Sequence, residues 1–289
     1  MPELPELEVV LEVLQRKLVG GSVTSVEVLP PGGPIIVRDL THQGFKLNLV
    51  GSRLLSVSRR GKFLVFLLKT KIGPLYLVLN PKLAGRLQLA APGEKRLART
   101  HVEFSFENGV QLRYFDPKQM GQLYLTLDLQ SVPGYASLGP EPLEISLAEF
   151  HERLKPFRGE IKGILTRGEC VAGIGNAYAD EILWEARLHP YRKRTQLTSA
   201  EVERLFVAMQ KILRTAIEKI RLEVQEEIHR EPRDFLAIHM KTGQPCPRCG
   251  TPISMIGANQ RVTNFCRSCQ PGGLIKGMGS PGGSGEGNI

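Results

Sequence analysis

Residues 160–188 read EIKGILTRGECVAGIGNAYADEILWEARL, two helical stretches joined by a glycine turn. Apolar residues recur at three- and four-residue spacing in 160–168 and again in 177–188, the period of an amphipathic helix. Between them, Gly173-Ile174-Gly175-Asn176 allows tight backbone approach. Asn176 is expected to cap the second helix, whose amide end could hold a phosphate. Standing alone, the turn is also compatible with a plain Gly-rich helix connection. The helical texture continues on both sides. Residues 146–155 carry the same period. In 199–228 the stripe is Val202, Leu205, Phe206, Met209, Ile212, Leu213, Ala216 and Ile220, with Thr198 or Ser199 as cap.

Upstream of the turn-rich segment 131–146, the texture changes to short strands. Residues 22–29, 53–60, 62–68, 75–79, 85–90, 101–106, 110–115 and 122–127 read as strands, and Asn108-Gly109 between two of them is a hairpin signal. Many short strands with Gly and Pro turns predict an antiparallel sandwich or barrel. One helix precedes them. Leu7, Val10, Leu11, Leu14 and Leu18 form one face, Pro5 suits the first turn, Glu6 and Glu8 suit the positive end of the dipole, and Gly20-Gly21 stops it.

The chain has 289 residues, 42% of them apolar and 23% charged, which excludes a disordered, collagen-like or coiled-coil protein. No apolar run reaches the ~18 residues of a membrane helix. The start MPELPELEVV lacks the layout of a signal peptide. A formal charge of +9 suits a polyanion partner such as nucleic acid, and is also compatible with a merely basic soluble protein. A reducing, cytosolic setting is expected, where five cysteines point to metal or reactivity rather than disulfides. Cys246-Pro-Arg-Cys249 and Cys266-Arg-Ser-Cys269, sixteen residues apart, have the spacing of a four-thiolate zinc site with no open position. Arg248, Arg261 and Arg267 add positive charge there. Cys170 is expected to be a buried apolar filler. The last nineteen residues contain eight glycines and read as a disordered tail.

Pro2 is small enough for the initiator methionine to be removed before it, leaving a secondary amine at the chain start. An α-amino group has a pKa of ~7.7–8.0, so part of it is a free nucleophile near neutral pH. Its attack on a sugar C1′ gives an iminium, an electron sink. Glu3 and Glu6 stand beside it and could move protons. The octet MPELPELE taken alone is also a plain helix start. Together, however, MPELPELE, RYFDP (113–117), LGPEPL (138–143), VAGIGNAYADEIL (171–183), LHPYR (188–192) and the cysteine module resemble, in order, the formamidopyrimidine-DNA glycosylase / endonuclease VIII family over residues 1–270.

The resemblance implies an α+β chain. It has an N-terminal antiparallel β-sandwich flanked by helices, then a helical helix-two-turn-helix domain with a zinc-finger hairpin. The expected boundaries are 1–133 for the sandwich, 134–147 for a linker, 148–243 for the helical domain, 244–270 for the finger and 271–289 for the tail. It implies a bifunctional glycosylase and abasic-site lyase of base excision repair, acting on damaged double-stranded DNA as a monomer with structural Zn2+. The setting is cytoplasmic beside a nucleoid, or nuclear in a eukaryote. By motif, Pro2 is the Schiff-base nucleophile, Glu3 the proton donor or shuttle, Glu6 an active-site support, and Lys62 the lysine at the reacting nucleotide. Asn176 and Arg261 match phosphate contacts.

Two stretches depart from the family. Asn80-Pro81-Lys82-Leu83-Ala84-Gly85 and Asp116-Pro117-Lys118-Gln119-Met120-Gly121 replace the usual wedge motifs. Leu83 and Met120 would fill the gap of a flipped base, and Lys118 would face the widowed base without an arginine's planar fork. The stretch 219–235, KIRLEVQEEIHREPRDF, stands where oxidised-purine-specific members carry a Gly-rich lid. It reads as charged and helix-like, so the lid is expected to be missing or remodelled. The expected substrates are oxidised bases of the formamidopyrimidine/8-oxoguanine type. The alternatives are oxidised pyrimidines, or binding of abasic or damaged DNA without catalysis.

Overall fold

A computed structural model describes residues 1–71, 73–258 and 261–272. Helix α1 (Leu4–Leu18) opens the chain, with Pro5 in its first turn and Gly20, at φ 90°, just beyond its end. Leu4, Leu7, Leu14 and Leu18 are all buried, each stabilising the fold by roughly 1.5–3 kcal/mol. Nine strands then form two sheets: β1 (Val23–Val28), β2 (Val37–Asp39), β3 (Arg53–Arg60), β4 (Phe63–Thr70), β5 (Gly73–Asn80), β6 (Arg86–Ala90), β7 (Thr100–Phe106), β8 (Gln111–Phe115) and β9 (Gln122–Thr126). One sheet runs β1-β7-β8-β6 and the other β2-β9-β5-β4-β3. The architecture is the sandwich rather than the barrel. Its strands pair antiparallel except β2, which runs parallel to β9 through Val37↔Leu123. Short helices α2 (Gly33–Ile36) and α3 (Phe45–Leu49) lie between β1 and β3 and have no counterpart in the sequence reading.

The second half is helical: α4 (Leu147–Leu154), α5 (Ile161–Thr166), α6 (Asn176–Glu185) and α7 (Ser199–Val224), followed by the hairpin β10 (Ser254–Ala258) and β11 (Arg261–Phe265). Ser146 and Thr198 cap α4 and α7 through reciprocal boxes with Glu149 and Glu201. Helix α4 begins at Leu147, inside the stretch expected as linker. Helix α7 ends at Val224, four residues short of the expected 228, because Gln225 turns the chain at φ 51°. Of the helix-like run expected over 219–235, residues 219–224 complete α7, while 225–235 are turns and irregular backbone.

Two large apolar cores meet at this point. One joins α1 and the inner faces of the sheets to Ile217, Ile220, Val224 and Ile228. The other lies among α4–α7 and includes the buried Cys170, whose thiol burial pushes up to about 11. Phe235 packs against both. The start of α1 reaches the glycine turn before α6, where Leu4 N–H donates to the Gly173 carbonyl at 3.0 Å. Residues 273–289, most of the expected tail, lie outside the described residues.

Candidate active site

Pro2 is buried at the junction of the two halves. Met1 carries the terminal amine, which meets Glu231 at 3.1 Å. The Met1 carbonyl accepts from Arg233 at 2.8 Å. Glu3 is 1% exposed, and its carboxylate enters the N-terminal end of α6. It accepts from the N–H groups of Gly175 (2.6 Å), Ala177 (3.0 Å) and Tyr178 (3.4 Å). The chain start therefore satisfies the donors that a helix N-terminus leaves open.

This corrects the reading of Asn176. The N-cap is Gly175; Asn176 is the first helical residue, and its Nδ2 donates to the Val262 carbonyl of β11 at 2.8 Å. The amides expected for a phosphate are engaged by Glu3. Two glycines permit the approach. A Cβ on Gly173, which sits at φ 85°, would lie 2.9 Å from the Leu4 Cβ. One on Gly175 would lie 2.4 Å from the Glu3 carboxyl carbon and 2.7 Å from Lys62 Nζ. Lys62, just before β4, thus lies beside Glu3.

Glu6 points into the same interior. It accepts from the Glu3 N–H (2.9 Å), the Tyr178 hydroxyl (2.9 Å) and Arg233 (3.0 and 3.1 Å). Burial raises its pKa above the usual carboxylate value, with Arg233 opposing and Glu3 and Glu231 assisting. Burial also raises Tyr178 well above 10. Burial opposes ionisation of Glu231, yet Arg233, the chain's amine and Arg86 together hold its pKa below the usual range. The sequence reading missed Glu231, Arg233 and Tyr178. The signal available for Glu231 and Arg233 was the charged run over 219–235.

A cleft of ≈ 250 Å³ opens over this junction, lined by Met1, Lys62, Asn80, Lys82, Arg167 and Gly173. Three cationic side chains on its walls suit a phosphodiester backbone. A larger cavity of ≈ 1120 Å³, bounded by Arg60, Leu138, His151 and Glu203, contains none of the expected site residues.

Beside the cleft, two loops present apolar tips to solvent. Leu83 is 43% exposed between β5 and β6, and Met120 is 50% exposed between β8 and β9. Both loops rest on the Tyr114 hydroxyl, through Gly85 and Gly121. Asp116, fully buried, fixes the second loop by accepting from the N–H groups of Lys118 (2.9 Å), Met120 (2.9 Å) and Gly121 (2.8 Å). Lys118 itself is exposed on that loop.

The cysteine module fits zinc. The sulfurs of Cys246, Cys249, Cys266 and Cys269 lie within 4.8 Å of one another, with Cys246–Cys269 at 3.9 Å and Cys249–Cys266 at 3.4 Å. A tetrahedral tetrathiolate with Zn–S near 2.3 Å needs sulfurs about 3.8 Å apart. Four protein ligands fill the coordination sphere, so the ion is structural. The hairpin is held to the helices by the Asn176–Val262 bond and by Lys162, which donates to the Thr263 hydroxyl at 2.8 Å and pairs with Asp180 at 2.6 Å. Arg248 lies over the Trp184 ring, 4.1 Å from its centre, and meets Glu185. The backbone of Arg261 pairs with Ala258 at the hairpin tip, while its side chain lies outside what the structure describes. No described helix is long and apolar enough to cross a membrane.

Residues 1–123 match the family model of the formamidopyrimidine-DNA glycosylase N-terminal domain. Residues 138–226 match the H2TH domain of the same enzymes, and 243–272 the zinc finger found in FPG and IleRS. The chain is 38% identical over 285 residues to the formamidopyrimidine-DNA glycosylase of Symbiobacterium thermophilum, covering 94% of this chain and 90% of that protein. It is 36% identical to that of Pelotomaculum thermopropionicum, covering 93% and 99%. A complex of Lactococcus lactis Fpg with abasic-site DNA superposes with a TM-score of 0.81 at 30% identity, covering 93% and 99%. MutM bound to DNA containing carbocyclic 8-oxo-G gives 0.81 at 31%, with the same coverage. Three matched segments in this order, backed by relatives aligned over nearly the whole length, lead to one conclusion: the chain belongs to the formamidopyrimidine-DNA glycosylase family of base-excision-repair enzymes.

Proposed function

We propose that this DNA glycosylase removes oxidised bases of the ring-opened-purine and 8-oxoguanine type from duplex DNA, with Pro2 as nucleophile once Met1 is gone. The observation that supports this reading is the convergence of the chain start, Glu3 and Lys62 at the mouth of α6 under a cationic cleft. The Pro2 nitrogen forms a bond to C1′ as the bond from C1′ to the base breaks. Glu3 carries the proton of the Pro2 nitrogen to the ring oxygen, the base takes its proton from water, the sugar opens, and an iminium joins Pro2 to C1′. The iminium acidifies the C2′ proton. Its loss expels the 3′ phosphate by β-elimination; the alternative end point adds a δ-elimination that removes the 5′ phosphate. Water then releases Pro2.

Lys62, at the cleft wall, is placed to hold a flanking phosphate. Leu83 and Met120 supply apolar tips for the gap left by a flipped nucleotide, and Lys118 a cation for the orphaned partner base. Arg261 at the hairpin tip and Asn176 at the start of α6 are the backbone-contact candidates, although Asn176 also ties α6 to the hairpin. The working form is a monomer on DNA, in the cytoplasm beside a nucleoid or in a nucleus. A second reading, oxidised pyrimidines, is favoured by one observation: the segment that would cover a flipped purine is turned inward onto the chain start.

Borohydride reduces an iminium to a stable amine. A duplex carrying 8-oxoguanine or an abasic site should therefore be captured covalently, with the adduct mapping to residue 2. Absence of capture from every lesion duplex, with Met1 shown to be missing by mass, overturns the enzymatic reading. Excision of thymine glycol in preference to 8-oxoguanine selects the second one.

A further inference from the structure

The segment after α7 is anchored at both ends. Ile228 is buried in the core of the sandwich half. The N–H groups of Ala237, Ile238 and His239 all donate to buried Glu181, at 2.8 to 2.9 Å. Between these anchors, Glu231 and Arg233 face the chain start rather than solvent. The Glu231 carboxylate meets three cations: the Met1 amine at 3.1 Å, Arg86 at 2.5 Å and Arg233 at 2.9 Å. Arg233 also grips Glu6, lies 5.9 Å from the centre of the Tyr178 ring and donates to the Met1 carbonyl.

We infer that Glu231 and Arg233 are positioning residues for the Pro2 nitrogen, a fixed clasp built from the segment after α7. The inference rests on the reading of Pro2 as nucleophile. Along the backbone, the Met1 and Pro2 nitrogens are only about 3–4 Å apart. Loss of Met1 removes one of the three cations on Glu231 and creates a secondary ammonium one residue away. The Met1 oxygen that Arg233 now holds is bonded to the same carbon as the Pro2 nitrogen. The guanidinium is therefore within about 5 Å of that nitrogen. The carboxylate draws the ammonium in and fixes its direction. The guanidinium opposes protonation, so the free amine remains available.

Other charges face the same point. Glu3 caps α1 and Glu6 lies in its first turn, Lys62 just precedes β4, and Arg86 opens β6. Lys82, Arg167 and Arg230 approach from loops, and the Tyr178 hydroxyl from α6. Glu231 itself, and among these Arg86, can be altered without removing any contact described above for Glu3 or Lys62.

The test is the single-turnover rate of borohydride capture on an abasic duplex, followed against pH with Met1-free protein. Glu231→Gln should lower the acid limb of the profile by about one unit, since an opposite charge at this range shifts a pKa by one or more. Its plateau should fall about tenfold through lost orientation. Binding to a duplex with an uncleavable abasic analogue should stay within about twofold. Arg86→Met, which frees Glu231 to hold the ammonium harder, should move the limb the other way. It decides alone if Glu231→Gln fails to fold. Limbs that stay put in both variants, with only the plateaus reduced, overturn the clasp while leaving Pro2 as nucleophile. Wild-type protein that is not captured at all overturns the Pro2 reading and the clasp with it.

Discussion

Gly175→Ala tests how the first turn of α6 sets the chemistry. Gly175 lies at φ −122° and ψ −159°, extended backbone that alanine adopts freely. The effect of the substitution is therefore spatial. The new methyl would stand 2.4 Å from the Glu3 carboxyl carbon and 2.7 Å from Lys62 Nζ. Carbon contacts settle near 3.5–4.0 Å, so Glu3 must retreat by about 1 Å. That retreat breaks or lengthens its bonds to Gly175, Ala177 and Tyr178. Overpacking of this size costs about 1–3 kcal/mol of stability, a few degrees in melting temperature. A 1 Å misplacement of a reacting group costs about 100-fold in rate. Single-turnover excision and capture should therefore fall about 100-fold. Equilibrium binding to a duplex with an abasic analogue should change less than threefold, because the wedge loops and the hairpin are untouched. Wild-type capture by a folded Gly175→Ala protein would refute the idea that this contact fixes Glu3.

Leu83→Ala and Met120→Ala should leave melting unchanged within about 0.5 kcal/mol, both side chains being exposed. They should slow excision of a paired lesion far more than cleavage of a preformed abasic site. Cys266→Ser, or a strong chelator, should release zinc and abolish duplex binding. Circular dichroism should retain the sandwich signal, because the four sulfurs lie wholly within 246–269. Burial holds the His189 imidazole below its usual 6.5, against Phe265 of the hairpin at 4.8 Å. Its folded pKa is thus depressed and the unfolded chain takes the proton first. The stability it contributes is complete above pH 6.5 and declines as pH falls below that value. Melting curves from pH 7.5 to 5 should show a shallower loss for His189→Asn than for wild type. Parallel curves would contradict this.

Much of the fold was written in period and punctuation. Strands β1 and β3 to β9 fall on the short strand-like runs between turns, helix α1 follows its three-four spacing, and Asn108-Gly109 sits at the β7–β8 turn as expected. Strand β2 escaped notice because three residues, Val37 to Asp39, carry no usable period, and its partner β9 is over eighty residues downstream. The end of α7 was misplaced for a similar reason. Residues 225–228 have good helix propensity, but burying Ile228 and pairing Glu231 and Arg233 with the chain start demand a reversal that propensity does not encode. At the site, Asn176 has the chemistry of a cap, yet the donors are satisfied by Glu3, 172 positions away from Gly175. A ligand from another part of the chain leaves no local trace. The zinc cysteines were legible because their ligands are all local, two to each turn.

The contact between Met1 and Arg233 spans 232 positions of sequence. On a ribosome adding about 5–20 residues per second, those partners emerge roughly 12–46 s apart. During that interval the chain start has neither Arg233 nor Glu231 to meet. The pocket around Pro2, which Ile228, Arg230 and Glu231 help to line, is incomplete until translation is nearly finished. A polypeptide ending before the helical half therefore carries Glu3 without the amides of Gly175, Ala177 and Tyr178 that hold it.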